Sequence, residues 1–179
     1  MGTGLPAHET GRQVVAAWRD LALAEPSLPG IAVRLHSLIS RSDNPERFVT
    51  ALLVTFGCCN AGVEIVSCGH PPPLLLRGGW ASFVETFPAP PLGLLDLANG
   101  WCTSATTPFR SGDGLLLYTD GVSEARDRDG RYFPLTERTA VAAAVSDSDE
   151  GLLDHLLTDL LTHLGQAQAD DILLLLACR

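Results

Sequence analysis

Acidic side chains lie beside two apolar stretches of the 179-residue chain. Asp120 directly follows the stretch 114–119, while Asp170 and Asp171 directly precede the stretch 172–177. A strand end holds a carboxylate on rigid backbone at the rim of a sheet, and convergent carboxylates are the ligands that Mg²⁺ and Mn²⁺ prefer. The spacing therefore indicates a candidate metal site. The spacing alone also fits a plain turn at Asp120 and a solvated strand cap at the aspartate pair.

Hydrophobic periodicity predicts the elements that must position these carboxylates. Apolar residues at helical spacing predict helices over 5–23, 31–40, 135–144 and 151–164. Stretches rich in β-branched and apolar residues predict strands over 48–56, 63–68, 74–77, 81–85, 101–106, 114–119 and 172–177. The last stretch is apolar at every position, which is typical of a strand covered on both faces. This order of elements fits helices layered against mainly antiparallel sheets in one α+β domain.

The charged residues argue against several classes of function. The chain carries 21 acidic and 12 basic residues, a net charge of −9, and every basic residue is an arginine. An acidic surface repels phosphate backbones, so nucleic acid is not an expected partner. Because there is no lysine, Schiff-base chemistry and the Gly-Lys-Ser/Thr type of phosphate-binding loop are both excluded.

The sequence also predicts a cytoplasmic protein. No apolar stretch approaches the ~20 residues that a membrane span needs, and the first residues lack the pattern of a signal peptide. The five cysteines are odd in number and form no Cys-x-x-Cys pair. They are therefore predicted to be buried free thiols in a reducing compartment.

One long motif and several short ones occur along the chain. The longest, at 112–126, reads Gly-Asp-Gly-Leu-Leu-Leu-Tyr-Thr-Asp-Gly-Val-Ser-Glu-Ala-Arg. The shorter ones are Gly-Thr-Gly at 2–4, Phe-Val-Thr-Ala at 48–51, Gly-His-Pro-Pro at 69–72, Pro-Leu-Gly-Leu at 91–94, Asp-Gly-Arg-Tyr-Phe at 129–133 and Asp-Asp-Ile at 170–172. In this order they resemble the stage II sporulation protein E family, a branch of the metal-dependent (PPM) bacterial serine/threonine phosphatases. The resemblance covers essentially the whole chain.

The resemblance implies a fold and a site. The expected fold is two stacked, mainly antiparallel β-sheets flanked by helix pairs, an α-β-β-α sandwich formed by a single domain over residues 1–179. A dinuclear Mn²⁺ or Mg²⁺ site is expected at one edge, with Asp120 and Asp170 as metal ligands and catalytic residues and Asp171 as a weaker candidate. The supporting loops are expected to contain Gly2, Gly4 and Gly121. Arg126 and Arg131 fit either contact with a substrate phosphate or a solvated turn.

The family's first motif, Asp-Val-x-Gly-x-Gly, is incomplete in this sequence. Met1 occupies the first x position, so the metal-binding aspartate and the first strands of the domain are expected upstream of the chain. One explanation is a start that was assigned or cut at an internal methionine, which the otherwise undamaged motifs favour. The other is a chain that is natural as it stands and is a weak or inactive phosphatase.

The resemblance also implies a substrate. We expect a phosphoserine or phosphothreonine protein phosphatase that acts on a phosphorylated anti-sigma factor antagonist and so regulates a sigma factor. The competing hypothesis is a non-catalytic module that binds its protein partner without turnover, and a third is the output domain of a larger sensor protein.

The apolar face of the helix at 152–164 is predicted to be core, with a homodimer surface as the alternative.

Overall fold

The computed structural model describes residues 5–41, 48–57, 62–165 and 171–179. The helices are α1 (Leu5–Ala24), α2 (Leu28–Ser40), α3 (Asp120–Ser123), α4 (Leu135–Val145) and α5 (Asp149–Leu164), with a 3-10 helix at Leu95–Ala98. The strands are β1 (Ala51–Phe56), β2 (Gly62–Cys68), β3 (Leu74–Arg77), β4 (Trp80–Phe83), β5 (Pro88–Ala89), β6 (Ala105–Pro108), β7 (Gly114–Tyr118) and β8 (Leu174–Cys178). Helices combined with two mainly antiparallel sheets confirm the predicted α+β class. No helix within these ranges is long and apolar enough to cross a bilayer.

The chain forms two compact units, and the first comprises Met1–His70 and Glu85–Pro108. In its sheet β2 pairs with β1 and β6 in antiparallel fashion and with the short β5 in parallel fashion. Helix α2 packs against this sheet through Leu35 and Ile39, which share a buried cluster with Val66. The helix begins earlier than predicted because the Ser27 hydroxyl accepts a hydrogen bond from the Gly30 amide at 3.2 Å.

The second unit comprises Pro71–Val84 and Phe109–Arg179. Its antiparallel sheet has the strand order β4-β3-β7-β8. Alternate residues of β3 and β7 face the helices, so that Leu74 and Leu116 share one buried cluster with Leu156 and Leu160 of α5. This unit contains both β7 and β8, the two strands beside the predicted acidic residues.

Two predicted strands differ most from the structure. The strand predicted over 101–106 is observed as β6, further along the chain, because Asn99 and Gly100 adopt left-handed conformations (φ 60° and 71°) that end the preceding 3-10 helix in a turn. The final strand is not covered on both faces. Leu173 and Leu175 are 60% and 50% exposed, whereas Leu174 and Leu176 pack against the buried cluster, so alternate residues of this segment point to an exposed and a covered face.

The cysteines within the described residues are only partly as predicted. Cys68 and Cys102 are buried free thiols, and a hydrogen bond with Cys102 together with burial raises the pKa of Cys68. Cys178, the last residue of β8, is exposed, contrary to the prediction. Cys58 and Cys59 lie outside the described residues.

An ion pair between the half-buried Arg77 and the buried Asp113 joins β3 to the turn before β7. Asp113 is only 4% exposed, and its carboxylate accepts hydrogen bonds from Nε and Nη2 of Arg77 at 2.9 and 2.6 Å and from the Arg110 amide at 2.6 Å. The hydrogen bond from Arg77 is the main cause that lowers the pKa of Asp113 below its usual value. A lowered folded-state pKa means that Asp113 stabilises the fold above its unfolded pKa of about 3.9. This stabilisation is lost as the pH falls through the folded-state pKa.

We expect Asp113→Ala to lower the free energy of unfolding at pH 7 by on the order of 2 kcal/mol, because the Arg77 guanidinium and the Arg110 amide lose their common acceptor. The difference from wild type should shrink as the pH falls from the unfolded pKa of Asp113, about 3.9, towards its lower folded-state pKa. Urea denaturation at pH 7 and in a series of acidic buffers measures both effects. Asp129→Ala, at an exposed carboxylate, is the control and should leave the midpoint nearly unchanged. A difference in unfolding free energy that stays constant across the pH range would contradict the lowered pKa of Asp113.

Candidate metal centre

Asp120 is fixed at the point where β7 becomes helix α3. The strand before it is anchored by Leu115 and Leu116, which are fully buried, and by Tyr118, whose hydroxyl donates to the Pro72 carbonyl at 2.7 Å. Burial raises the pKa of Tyr118 to about 12, so this donor keeps its proton at neutral pH. The carboxylate of Asp120 is exposed at the end of a strand that cannot easily shift.

The turn predicted as the alternative at Asp120 is observed as the short helix α3. The Asp120 carbonyl accepts from the Glu124 amide at 2.8 Å and from the Ser123 hydroxyl at 3.3 Å. Gly121 is buried in the first turn of this helix, and its amide donates to Oδ1 of Asp120 at 3.1 Å. These contacts orient both the backbone and the carboxylate of Asp120.

The segment that contains Asp171 lies next to this strand end. Strands β7 and β8 are antiparallel, with Tyr118 opposite Leu174, so the end of one strand meets the beginning of the other. The Thr119 hydroxyl donates to the Asp171 carbonyl at 2.7 Å and accepts from the Leu173 amide at 3.0 Å. The structure therefore brings Asp120 and Asp171 to the same edge of one sheet, as predicted from where the two strands end and begin. Asp170, Gly2 and Gly4 lie outside the described residues.

The side-chain oxygen atoms at this edge are of the type that binds a hard divalent cation. Asp120 and Asp171 are both exposed and offer carboxylate oxygens, the ligands that Mg²⁺ and Mn²⁺ take together with water. Within the described ranges, no group of three or more His, Cys, Asp or Glu side chains is arranged to hold a metal ion. The described residues thus offer donor atoms of a suitable kind but no complete ligand group.

Thr119 is not among the residues predicted for the site, although it lies inside the longest motif. Its hydroxyl makes two of the contacts that hold the Asp171 segment. The available signal was a hydroxyl residue placed between a buried strand and an aspartate in Tyr-Thr-Asp-Gly. Such a residue can bond the neighbouring backbone when the chain changes direction.

The arginine-containing loop after α3 is a structured turn. The Asp127 carboxylate accepts from the amides of Asp129 and Arg131, both at 2.9 Å, and these bonds lower the pKa of Asp127. The Arg131 guanidinium contacts the Asp129 carboxylate at 3.0 Å, and the Arg126 guanidinium lies 4.0 Å above the Tyr132 ring. The solvated-turn interpretation accounts for the contacts of both arginines.

Three of the solved structures that share this fold are compared with the chain as follows. Each comparison covers 98% of this chain. The RsbU and RsbW domains of Rv1364c from Mycobacterium tuberculosis match with a TM-score of 0.78 at 22% identity over 48% of that chain. The PP2C phosphatase domain and regulatory fragment of the cell fate determinant SpoIIE from Bacillus subtilis match with a TM-score of 0.79 at 16% identity over 51% of that chain. The catalytic domain of the serine/threonine protein phosphatase PstP, in complex with two manganese ions, matches with a TM-score of 0.66 at 18% identity over 82% of that chain.

These comparisons establish the fold and the family. The chain has the PP2C phosphatase fold, and it spans about half the length of the first two structures that it matches. The sequence model of stage II sporulation protein E (SpoIIE) matches residues 1–179. The resemblance inferred from the motifs is therefore confirmed, and the chain belongs to the SpoIIE family.

Proposed function

We propose that this chain is a metal-dependent phosphatase domain that hydrolyses phosphoserine or phosphothreonine in a protein substrate. The observation that carries the proposal is the placement of Asp120 beside the Asp171 segment at one edge of a sheet, joined through Thr119. Membership of the SpoIIE family supports the reaction class. Manganese in the PstP structure supports the choice of Mn²⁺ or Mg²⁺ as cofactor.

The residues have distinct proposed roles. Asp120 and Asp170 hold the metal, and Asp171 either assists them or orients the segment. The chemistry that bound Mn²⁺ or Mg²⁺ supplies is activation of water and neutralisation of phosphoryl charge. The chain's own contribution is geometric, because β7 and the first turn of α3 hold the Asp120 carboxylate at a fixed place on the sheet edge.

The proposed substrate is a phosphorylated anti-sigma factor antagonist, encountered in the cytoplasm. The support is the likeness to a protein with RsbU and RsbW domains and to the cell fate determinant SpoIIE, both of which share this fold. Dephosphorylation of such an antagonist would regulate a sigma factor. The net charge of −9 argues against direct binding of nucleic acid.

A non-catalytic binding module is the second candidate function. It requires no metal-ligand group, and no group of three or more His, Cys, Asp or Glu side chains occurs among residues 5–41, 48–57, 62–165 and 171–179, which do not include Asp170. The two candidates differ in whether the single phosphatase domain proposed for residues 1–179 hydrolyses a phosphoprotein or only binds it.

One experiment separates the two candidates. Hydrolysis of p-nitrophenyl phosphate is measured at increasing Mn²⁺ with this chain and with a version that carries Asp-Val in front of Met1. We expect the version with the completed motif to be activated by Mn²⁺ and this chain to be slower. If both are inactive at saturating Mn²⁺, the phosphatase proposal is wrong and the binding module is favoured.

The homodimer is a separate proposal with a defined surface. Helix α5 buries Leu156 and Leu160, but Leu157 and Leu161 on its flank are 37% and 52% exposed. If a dimer forms through α5, these two leucines would be its apolar contacts. Sedimentation velocity over a range of protein concentrations shows whether the dimer forms, since a monomer at all concentrations excludes it.

A further inference from the structure

Thr119 lies where the chain changes from strand to helix, and this change removes a backbone acceptor from the sheet. The Thr119 amide donates to the Leu173 carbonyl at 3.2 Å, as in a hydrogen-bonded antiparallel pair. The reciprocal bond would run from the Leu173 amide to the Thr119 carbonyl. That carbonyl instead accepts from the Val122 amide at 3.0 Å, because α3 begins there.

The Thr119 side chain replaces the acceptor that the backbone has withdrawn. Its Oγ1 accepts from the Leu173 amide at 3.0 Å and donates its proton to the Asp171 carbonyl at 2.7 Å. A hydroxyl can be donor and acceptor at once, and both capacities are used here. The side chain therefore extends the pairing of β7 and β8 to Asp171.

In this arrangement the Thr119 hydroxyl does not make the capping hydrogen bond that is usual at its position. It occupies the N-cap position of α3, where a threonine hydroxyl commonly accepts from an amide of the first helical turn. No such side-chain bond is made at this helix. The hydroxyl is directed to the neighbouring segment instead, which is an arrangement that helix formation alone does not explain.

We propose that Thr119 is a positioning residue for the candidate metal centre. Through its hydroxyl it fixes the backbone of the Asp171 segment relative to Asp120, the next residue along the chain. The separation of the acidic positions at this sheet edge then depends on one side chain that is not itself a ligand. This inference rests on the proposed function, because it assumes that the edge binds a divalent cation.

Mn²⁺ binding by the full chain tests the inference without any assay of activity. The free Mn²⁺ signal in electron paramagnetic resonance is titrated for wild type and for Thr119→Val, which keeps the shape of the side chain but removes the hydroxyl. We expect the Kd for Mn²⁺ to rise about tenfold, as for other residues that orient metal ligands. Thr119→Ser, which keeps the hydroxyl, should restore wild-type affinity.

Two further variants make the outcomes distinguishable. Thr162→Val is the matched control, because the Thr162 hydroxyl bonds only the Thr158 carbonyl of its own helix among the contacts observed, at 2.8 Å, and its Kd should not change. If Asp120→Asn binds Mn²⁺ as wild type does, or wild type binds none, the metal centre itself is wrong. If binding depends on Asp120 but Thr119→Val retains wild-type affinity, the metal centre stands and the positioning role is overturned.

Amide exchange provides a measurement that does not depend on a folded variant. In wild type the Leu173 amide should exchange as slowly as that of Leu175, which lies inside β8. Rapid exchange at Leu173 alone would overturn the proposed bond. Where Thr119→Val folds, exchange should accelerate at Leu173 and stay slow at Leu175.

Discussion

Asp120→Asn is expected to lower Mn²⁺-dependent phosphoester hydrolysis by roughly 100-fold or more. Substitution of residues that only orient metal ligands already costs about 10–100-fold, so loss of a ligand should cost no less. Asparagine has the size of aspartate and keeps an oxygen that can accept from the Gly121 amide, as Oδ1 does at 3.1 Å. The substitution therefore removes charge with little change of structure.

The measurement uses the version of the chain in which Asp-Val precedes Met1. Initial rates with p-nitrophenyl phosphate are compared at saturating Mn²⁺, together with the thermal unfolding midpoint. Asp154→Asn is the matched control, since Asp154 is exposed on α5 and should tolerate loss of charge at full rate. An Asp120→Asn protein that folds normally and retains the Mn²⁺-dependent rate would remove Asp120 from the proposed chemistry.

The acidic edge could be predicted because strand ends are visible in the sequence. The buried stretch that contains Leu115 and Leu116 has a clear end at Asp120, and the stretch after Asp171 has a clear beginning. Antiparallel neighbours place such an end and such a beginning on the same side of a sheet. The two acidic segments therefore lie at the same side of the sheet if the two strands are neighbours. The structure confirms that β7 and β8 are neighbours.

Other features could not be predicted because they depend on tertiary contacts. Helix α3 has four residues, too few to show a helical period, so Asp120 also fitted a turn. The six apolar residues over 172–177 hide the alternation of β8, since leucine gives no sign of which face is exposed. The role of Thr119 depends on the Thr119 carbonyl being taken by Val122, which is a property of the folded turn.

The apolar residues of α5 show how the structure divides a face that the sequence presents as uniform. The sequence predicted one core-facing side over 152–164. In the structure Leu156 is fully buried against the sheet cluster that includes Leu116, whereas the adjacent Leu157 is 37% exposed. Substitution at these two neighbouring positions on one helix should therefore have very different effects.

Leu156→Ala is expected to lower the free energy of unfolding by about 3 kcal/mol, from lost transfer free energy and the cavity left in the core. Leu157→Ala should cost much less, because part of that side chain is already in water and alanine is the best helix former. Urea denaturation of both variants at several protein concentrations, with equal m-values, measures the difference. If Leu157→Ala is as destabilising as Leu156→Ala, and the loss depends on protein concentration, the exposed flank of α5 is covered by a second copy of the chain. An equal loss that does not depend on concentration would contradict the placement of Leu157 at the surface.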